Sequence, residues 1–250
     1  MRNLKVLMSY NGAAYRGFQR QRNAVTVQGV VEAAIERLLK APVPVTGCGR
    51  TDAGVHAREF CFNLRAETSI PNDGFVKGMN SLLPNDMAIS SCEDVNADFH
   101  AGYSATGKEY VYLINNGVRR DVFTVDTALF HPFPIDEKKM DSAAGLFVGE
   151  HDFSAYCKAE SLGVILSKKR GAVRKIYDFT VTRDGDYVEM RVSGNGFLHN
   201  MVRIMAGTLI YVNAGKLTED DIAASFIRPD RGRTGVTLPP RGLYLNKVFY

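Results

Sequence analysis

The order of the hydrophobic patterns is the feature that most limits which folds this chain can adopt. Leu4, Val6 and Met8 alternate along the chain, which predicts a strand over residues 3–10. Apolar residues in 27–39 recur at helical spacing, so a helix follows. The rest of this half is predicted as strands at 43–48, around 60–64 and at 86–95, with a helix at 72–83.

The second part of the chain repeats this order of elements. Residues 106–115 are predicted to form a strand, and 173–184 and 187–194 to form two more. The segment Arg183-Asp184-Gly185-Asp186 joins the last two and is typical of a hairpin turn. The other predicted elements are helices at 136–149, 198–214 and 218–226 and a final strand at 242–250.

Each half therefore follows the order β-α-β-β-α-β, the split βαβ pattern of ferredoxin-like (RNP-like) units. We predict an α+β protein with two domains, 1–104 and 105–250. Their antiparallel sheets are expected to face a central active-site cleft. Direct sequence similarity between the halves is slight, so only the order of elements repeats.

The composition excludes several classes of protein. With 250 residues, 45% hydrophobic and 23% charged, the chain is neither disordered, collagen-like nor a disulfide scaffold. Its four cysteines form no C-x-x-C pair, and no signal peptide is apparent, so a cytoplasmic protein with reduced thiols is expected. No apolar run reaches 18 residues, so no membrane span is expected. Asp52 and His56 lie four apart, but the glycines around them favour a loop over a helical metal site.

Basic residues are concentrated in three predicted loops. Residues 158–175 hold six basic side chains against Glu160 alone, and 228–241 hold four arginines against Asp230. Residues 15–22, YRGFQRQR, hold three arginines, two aromatic residues and no acid. Guanidinium groups bind phosphate and aromatic rings stack on bases, so this pattern favours RNA. The alternative is that these loops are simply solvated.

A glycine-rich loop, Gly47-Cys48-Gly49-Arg50-Thr51-Asp52-Ala53-Gly54, follows a predicted strand. It departs from G-x-G-x-x-G by placing Asp52 at the third glycine, where a carboxylate would oppose a pyrophosphate. Beside Arg50, Asp52 would stay ionised and could act as a nucleophile. The alternative is a turn residue or helix cap.

An arginine and a pair of tyrosines elsewhere in the chain could serve the same chemistry. Arg203 lies in the apolar stretch FLHNMVRIMAGTLIYV and, if buried, needs an anionic partner such as Asp52. It could instead extend to solvent. Tyr110 and Tyr112 lie two apart on a strand and point the same way, so either could stack on a base or belong to the core.

These residues carry a resemblance. The loop GRTDAGVHA at 49–57 closely resembles the signature of the tRNA pseudouridine synthase A family. Weaker similarity extends over nearly the whole chain. It includes YNGAAYRGFQRQ at 10–21, VQGVVEAAI at 27–35, FHAGYSAT at 99–106, KEYVYLI at 108–114, GEHDFSAY at 149–156, FLHNMVRIMAG at 197–207 and GLYL at 242–245.

The resemblance implies an isomerase that converts uridine to pseudouridine at positions 38 to 40 of the tRNA anticodon stem-loop. It implies Asp52 as the catalytic aspartate, Arg203 as its ion-pair partner and Tyr110 as the aromatic residue against the base. It also implies that Arg50 assists base flipping, that the enzyme is a homodimer, and that no metal or cofactor is used. The expected substrate-binding residues are Tyr110, Arg50, Arg16, Arg20, Phe99, His100, Lys108, Lys168, Lys169 and Arg170.

Two positions depart from the family pattern. Gly102 stands where an arginine is common, which puts one RNA contact in doubt, and Phe18 stands where tryptophan is frequent. Phe18 is expected to keep a packing role. The competing function is a non-catalytic RNA-binding protein with paired RNP-like sheets, and a third is a phosphosugar or nucleotide enzyme that uses the glycine-rich loop.

Overall fold

A computed structural model describes residues 1–167 and 169–250 of the protein. The chain is α+β, as predicted, and divides into two compact units. The first unit contains Met1–Thr106 together with Tyr244–Tyr250, and the second contains Gly107–Leu243. The assignment of domains to 1–104 and 105–250 stays a prediction.

The first unit is an antiparallel sheet with two helices, and its elements follow the predicted order β-α-β-β-α-β. Strand β1 lies between β4 and β3, and β2 pairs with β3. Strand β10 also pairs with β3, in parallel, through Tyr244 and Leu245. The elements are β1 (Arg2–Tyr10), α1 (Val27–Leu39), β2 (Val45–Gly47), β3 (His56–Ala66), α2 (Asn72–Leu82), β4 (Met87–Val95) and β10 (Leu243–Phe249).

Local sequence explains where these elements begin and what they bury. The Thr26 side chain accepts a hydrogen bond from the Gly29 N–H at 3.3 Å and caps α1, as N-cap threonines do. The alternating residues Leu4, Val6 and Met8 of β1 are fully buried, which confirms the strand that their spacing predicted.

The second unit is built on four antiparallel strands in the order β5-β9-β8-β7, with the short β6 parallel to β5. Gly185, at φ 54°, turns the predicted β8–β9 hairpin. The elements are β5 (Gly107–Asn115), β6 (Leu129–Phe130), α3 (Glu137–Gly145), β7 (Gly149–Asp152), α4 (Ala159–Leu166), β8 (Val173–Asp184), β9 (Tyr187–Gly194), α5 (Met201–Asn213) and α6 (Glu219–Ile227).

Two expectations for this unit were wrong, and two short strands were not predicted. The helix predicted at 136–149 ends at Gly145, because Gly149 adopts a φ of 116° and begins β7. The basic segment 158–175 is not all loop, since α4 forms within it and β8 begins at Val173. The strands β6 and β7 have two and four residues, too few to produce a clear periodic pattern. No helix in the described part of the chain is long and apolar enough to cross a membrane.

Candidate active site

Asp52 lies at the start of a tight turn in the loop between β2 and β3. Its carbonyl accepts a hydrogen bond from the Val55 N–H at 3.1 Å, and Gly54, at φ 78°, occupies the position that requires a positive φ. Thr51 and Val55 are buried, whereas Asp52 is half-buried. The turn therefore anchors its two ends in the protein and holds the carboxylate near the surface.

The segment that follows β1 fastens this aspartate loop, residues 48–55, from one side. The hydroxyls of Tyr10 and Thr51 share a buried hydrogen bond of 2.9 Å. The Phe18 N–H donates to the Thr51 carbonyl at 3.2 Å, and the Gly54 N–H donates to the Tyr15 carbonyl at 3.2 Å. These bonds fix the backbone on both sides of Asp52.

Two glycines make this contact possible. A Cβ atom on Gly12 would lie 1.9 Å from the Val55 carbonyl oxygen, and one on Gly17 would lie 2.6 Å from the Thr51 carbonyl oxygen. Gly17 also has a φ of 88°, which side chains rarely adopt. These positioning residues were not predicted, although the glycines of YNGAAYRG indicate that another backbone segment approaches closely here.

The floor of the loop is aromatic. Phe18 is buried and stacks on Phe60 with ring centroids 4.3 Å apart, which confirms its expected packing role. The Cys48 N–H donates to the Cys61 carbonyl at 2.8 Å. Burial raises the pKa of the Cys61 thiol to about 12. The loop thus packs on buried, apolar side chains.

The predicted arginines of the first unit have different surroundings. Arg50 and Arg16 are exposed and lie in or beside the aspartate loop. Arg20 forms an ion pair with Glu32 at 3.0 Å, and Glu32 also accepts hydrogen bonds from the Gln28 side chain and the Val45 N–H. Arg20 therefore helps to hold α1 in place whether or not it meets RNA.

Arg203 is half-buried on α5, a helix with most of its side chains buried. Its Nε donates to the Leu238 carbonyl at 2.6 Å, and its Nη1 donates to the Asn200 side chain at 2.8 Å. The guanidinium is thus oriented by groups of its own unit and does not simply extend into solvent.

Tyr110 and Tyr112 share β5 but differ in their surroundings. Tyr112 is fully buried, and its hydroxyl donates to the Pro239 carbonyl at 2.7 Å. Burial raises the pKa of this phenol. Tyr110 is half-buried, with its ring edge-to-face on Phe197 at 5.0 Å. Tyr112 is a core residue, whereas Tyr110 keeps a surface that a ligand can reach.

The remaining predicted contacts are dispersed. Phe99 packs on Tyr250 with centroids 5.2 Å apart, and Lys108 is half-buried on β5. Lys169 and Arg170 are exposed, whereas Lys168 lies outside the described residues. Burial and the adjacent Arg170 lower the pKa of Arg174, which indicates closely spaced positive charges.

No group of three or more histidine, cysteine or acidic residues in the described ranges is arranged to hold a metal ion. The four cysteines are present as thiols. The aspartate loop combines a fastened backbone and a half-buried aspartate with the exposed Arg50, and the exposed Arg16 lies in the segment that supports it.

Comparison with known proteins agrees with these features. The sequence pattern of the family described as tRNA pseudouridine synthase matches residues 6–104 and 143–250, which include Asp52 and Arg203. The chain therefore belongs to the tRNA pseudouridine synthase family, a family of isomerases.

Individual relatives match over their full length. Proteins named tRNA pseudouridine synthase A from Ruminiclostridium cellulolyticum and a Thermoanaerobacter species are 42% and 40% identical, each over all of both chains. One of the same name from Bacillus pumilus is 40% identical over 99% of this chain and 98% of its own.

Proposed function

We propose that this protein converts uridine to pseudouridine at positions 38, 39 and 40 of the tRNA anticodon stem-loop, with Asp52 as the catalytic aspartate. The observation that carries the proposal is the position of Asp52. Its carboxylate is half-buried on a turn whose flanking residues Thr51 and Val55 are buried and hydrogen-bonded. The family, and the relatives that are named tRNA pseudouridine synthase A, support a tRNA substrate.

The reaction needs no redox step. The bond between ribose C1′ and uracil N1 breaks, a bond between C1′ and C5 forms, the hydrogen on C5 leaves as a proton, and N1 gains a proton. A carboxylate could attack the ribose, attack the base, or deprotonate an intermediate, and Asp52 suits each route. Arg203 would pair with the carboxylate and orient it. Tyr110 would pack against the uracil and could take part in the later proton transfer.

For these three residues to act on one uridine, we propose that the two halves are ferredoxin-like and that their sheets face a central cleft. The uridine must then leave its stack in the RNA, at a cost of a few kcal/mol. Arg50, exposed and two residues from Asp52, could fill the vacated space. The exposed Lys169 and Arg170 would bind phosphate.

We further propose a cytoplasmic homodimer in which one tRNA contacts both subunits. Both statements rest on the resemblance to the family. Sedimentation of the protein with and without tRNA tests the dimer, because a single subunit bound to one tRNA would contradict it.

Tritium release tests the reaction itself. A tRNA transcript carrying tritium at C5 of uridine would be incubated with the wild type and with Asp52→Ala, since isomerisation expels that hydrogen and binding does not. Transcripts that retain uridine at only one of positions 38, 39 and 40 identify the site. We expect release by the wild type alone. Binding without release by the wild type would instead favour a non-catalytic RNA-binding protein.

A further inference from the structure

Tyr103 and the expected substrate-binding residue His100 form an aromatic pair in the first unit that takes no part in the proposed isomerisation step. Tyr103 is 89% exposed, yet its ring stacks on His100 with centroids 4.2 Å apart and planes 29° apart. A large apolar side chain left so exposed contributes little to folding. Its ring nevertheless lies against the imidazole.

The backbone of this turn is held firmly. The His100 Nδ1 accepts hydrogen bonds from the N–H groups of Gly102 and Tyr103, both at 3.1 Å. The Ala101 N–H donates to the buried Asn63 side chain at 2.9 Å, and the Ala101 carbonyl accepts from the Tyr250 hydroxyl at 2.8 Å. The stacked pair is therefore fixed in advance, which lowers the entropy lost on binding.

The same turn lies against the base of the aspartate loop. A Cβ atom on Gly102 would lie 3.3 Å from the carbonyl oxygen of Gly47, five residues before Asp52. An adjoining cavity of about 290 Å³ has the exposed Arg65 and His100 among its lining residues, together with Thr46 and Asn63. An aromatic surface beside a cation and polar groups suits a nucleotide, with the base on the ring and phosphate near the guanidinium.

We propose that the Tyr103–His100 pair is a stacking platform for an unpaired base of the tRNA, one that neighbours the target uridine. The proposal rests on the proposed function and adds a contact that positions the RNA beside the aspartate loop. The contact thus recognises a base by its aromatic face and not by charge.

Binding of an anticodon stem-loop RNA by Tyr103 variants tests this platform. We expect Tyr103→Ala and Tyr103→Leu to weaken binding on the order of tenfold, and Tyr103→Phe to stay within about twofold of the wild type. The loss should be equal at low and high salt, since stacking releases no counterions. Phe123→Ala, which removes a 94% exposed ring from the second unit, is the matched control and should bind as the wild type does.

The outcomes separate the two proposals. Full affinity in Tyr103→Ala, or in Tyr103→Leu, would overturn the platform, because leucine keeps apolar area but cannot stack. A loss that grows with added salt would overturn it too. Tritium release by the wild type is independent of these results, so the isomerase function can stand while the platform fails. A 2-aminopurine placed in the loop of the RNA should be quenched by the wild type and not by Tyr103→Ala.

Discussion

The aspartate loop and the basic segment 158–175 both lack long regular structure, but they are built in opposite ways. In the aspartate loop, hydrogen bonds to Thr51 and close backbone contacts at Gly12 and Gly17 hold the backbone in place. In the basic segment, α4 has no buried residue, and Lys169 and Arg170 are exposed. A carboxylate that reacts must be placed to within a fraction of an ångström, whereas phosphate binding needs mainly charge.

The difference predicts that the two regions fail differently when they are altered. Changes to Asp52, or to the uncharged residues that support it, should affect turnover or folding and leave the salt dependence of binding alone. Changes in the basic segment should affect affinity and its salt dependence and leave turnover of bound tRNA alone.

The largest effect is expected for Asp52→Asn, which keeps the shape of the side chain and removes its charge. Turnover at saturating tRNA should fall on the order of a thousandfold or more, because an amide cannot act as nucleophile or base. The dissociation constant for tRNA should change little. Single-turnover tritium release and filter binding check both, and residual turnover of about a few per cent would exclude Asp52 as the nucleophile.

Gly12→Ala should break the loop's support. Its new Cβ would overlap the Val55 carbonyl, so we expect a loss of about 1–3 kcal/mol in the free energy of unfolding, with reduced turnover. Gly163→Ala is the matched control in the basic segment, where nothing lies within 4 Å of the new Cβ. In a helix this change should be neutral or stabilising by up to about 1 kcal/mol. Equal urea-unfolding midpoints for the two variants would contradict the contrast.

Neutralising the basic segment should alter affinity alone. Lys169→Gln combined with Arg170→Gln should weaken tRNA binding and reduce the slope of log K against log salt by about one to two. The control is Lys138→Gln with Lys139→Gln, an exposed pair on α3 that follows Asp136 and Glu137. If the two double variants show the same slope, the basic segment does not contact RNA.

The smallest effect is expected for the rate at which the Cys61 thiol, beneath the aspartate loop, reacts with an alkylating reagent. Because burial raises the pKa of Cys61 to about 12, its thiol stays protonated at pH 8, and thiolate increases only as pH approaches that value. Native Cys61 should therefore react slowly with iodoacetamide, and Gly12→Ala should accelerate the reaction by opening the loop. Peptide mass mapping over a pH series measures this, and fast labelling of the wild type would show that the loop is not tightly held.

Much of the first unit could be predicted because its signals are local. The alternation in β1, the helical spacing of α1 and the Thr26 cap each lie within a few residues of one another. In the second unit, α4 and the short strands β6 and β7 escaped prediction. All three are too short to show a clear periodicity, and β6 and β7 form by pairing with β5 and β8.

For the candidate site, the sequence drew attention to the residue proposed for catalysis but not to the residues that support it. Asp52 stood out because a carboxylate is unusual in a glycine-rich loop of the kind that binds phosphate. The residues that hold it, Tyr10, Gly12 and Gly17, lie 35 to 42 positions earlier in the chain. Their role follows from a packed contact that no local pattern encodes.

The sequence by itself determined the α+β class, the order of elements in the first unit and the residue types available for chemistry. Only the tertiary structure decided that β10, from the far end of the chain, pairs with β3 in the first unit. It also decided that Tyr112 is buried while Tyr110, two residues away on the same strand, keeps an accessible surface. The physical reason is that periodicity indicates which side of a helix or strand faces inward. How deeply a side chain is buried, and which element it packs against, depend on segments distant in sequence.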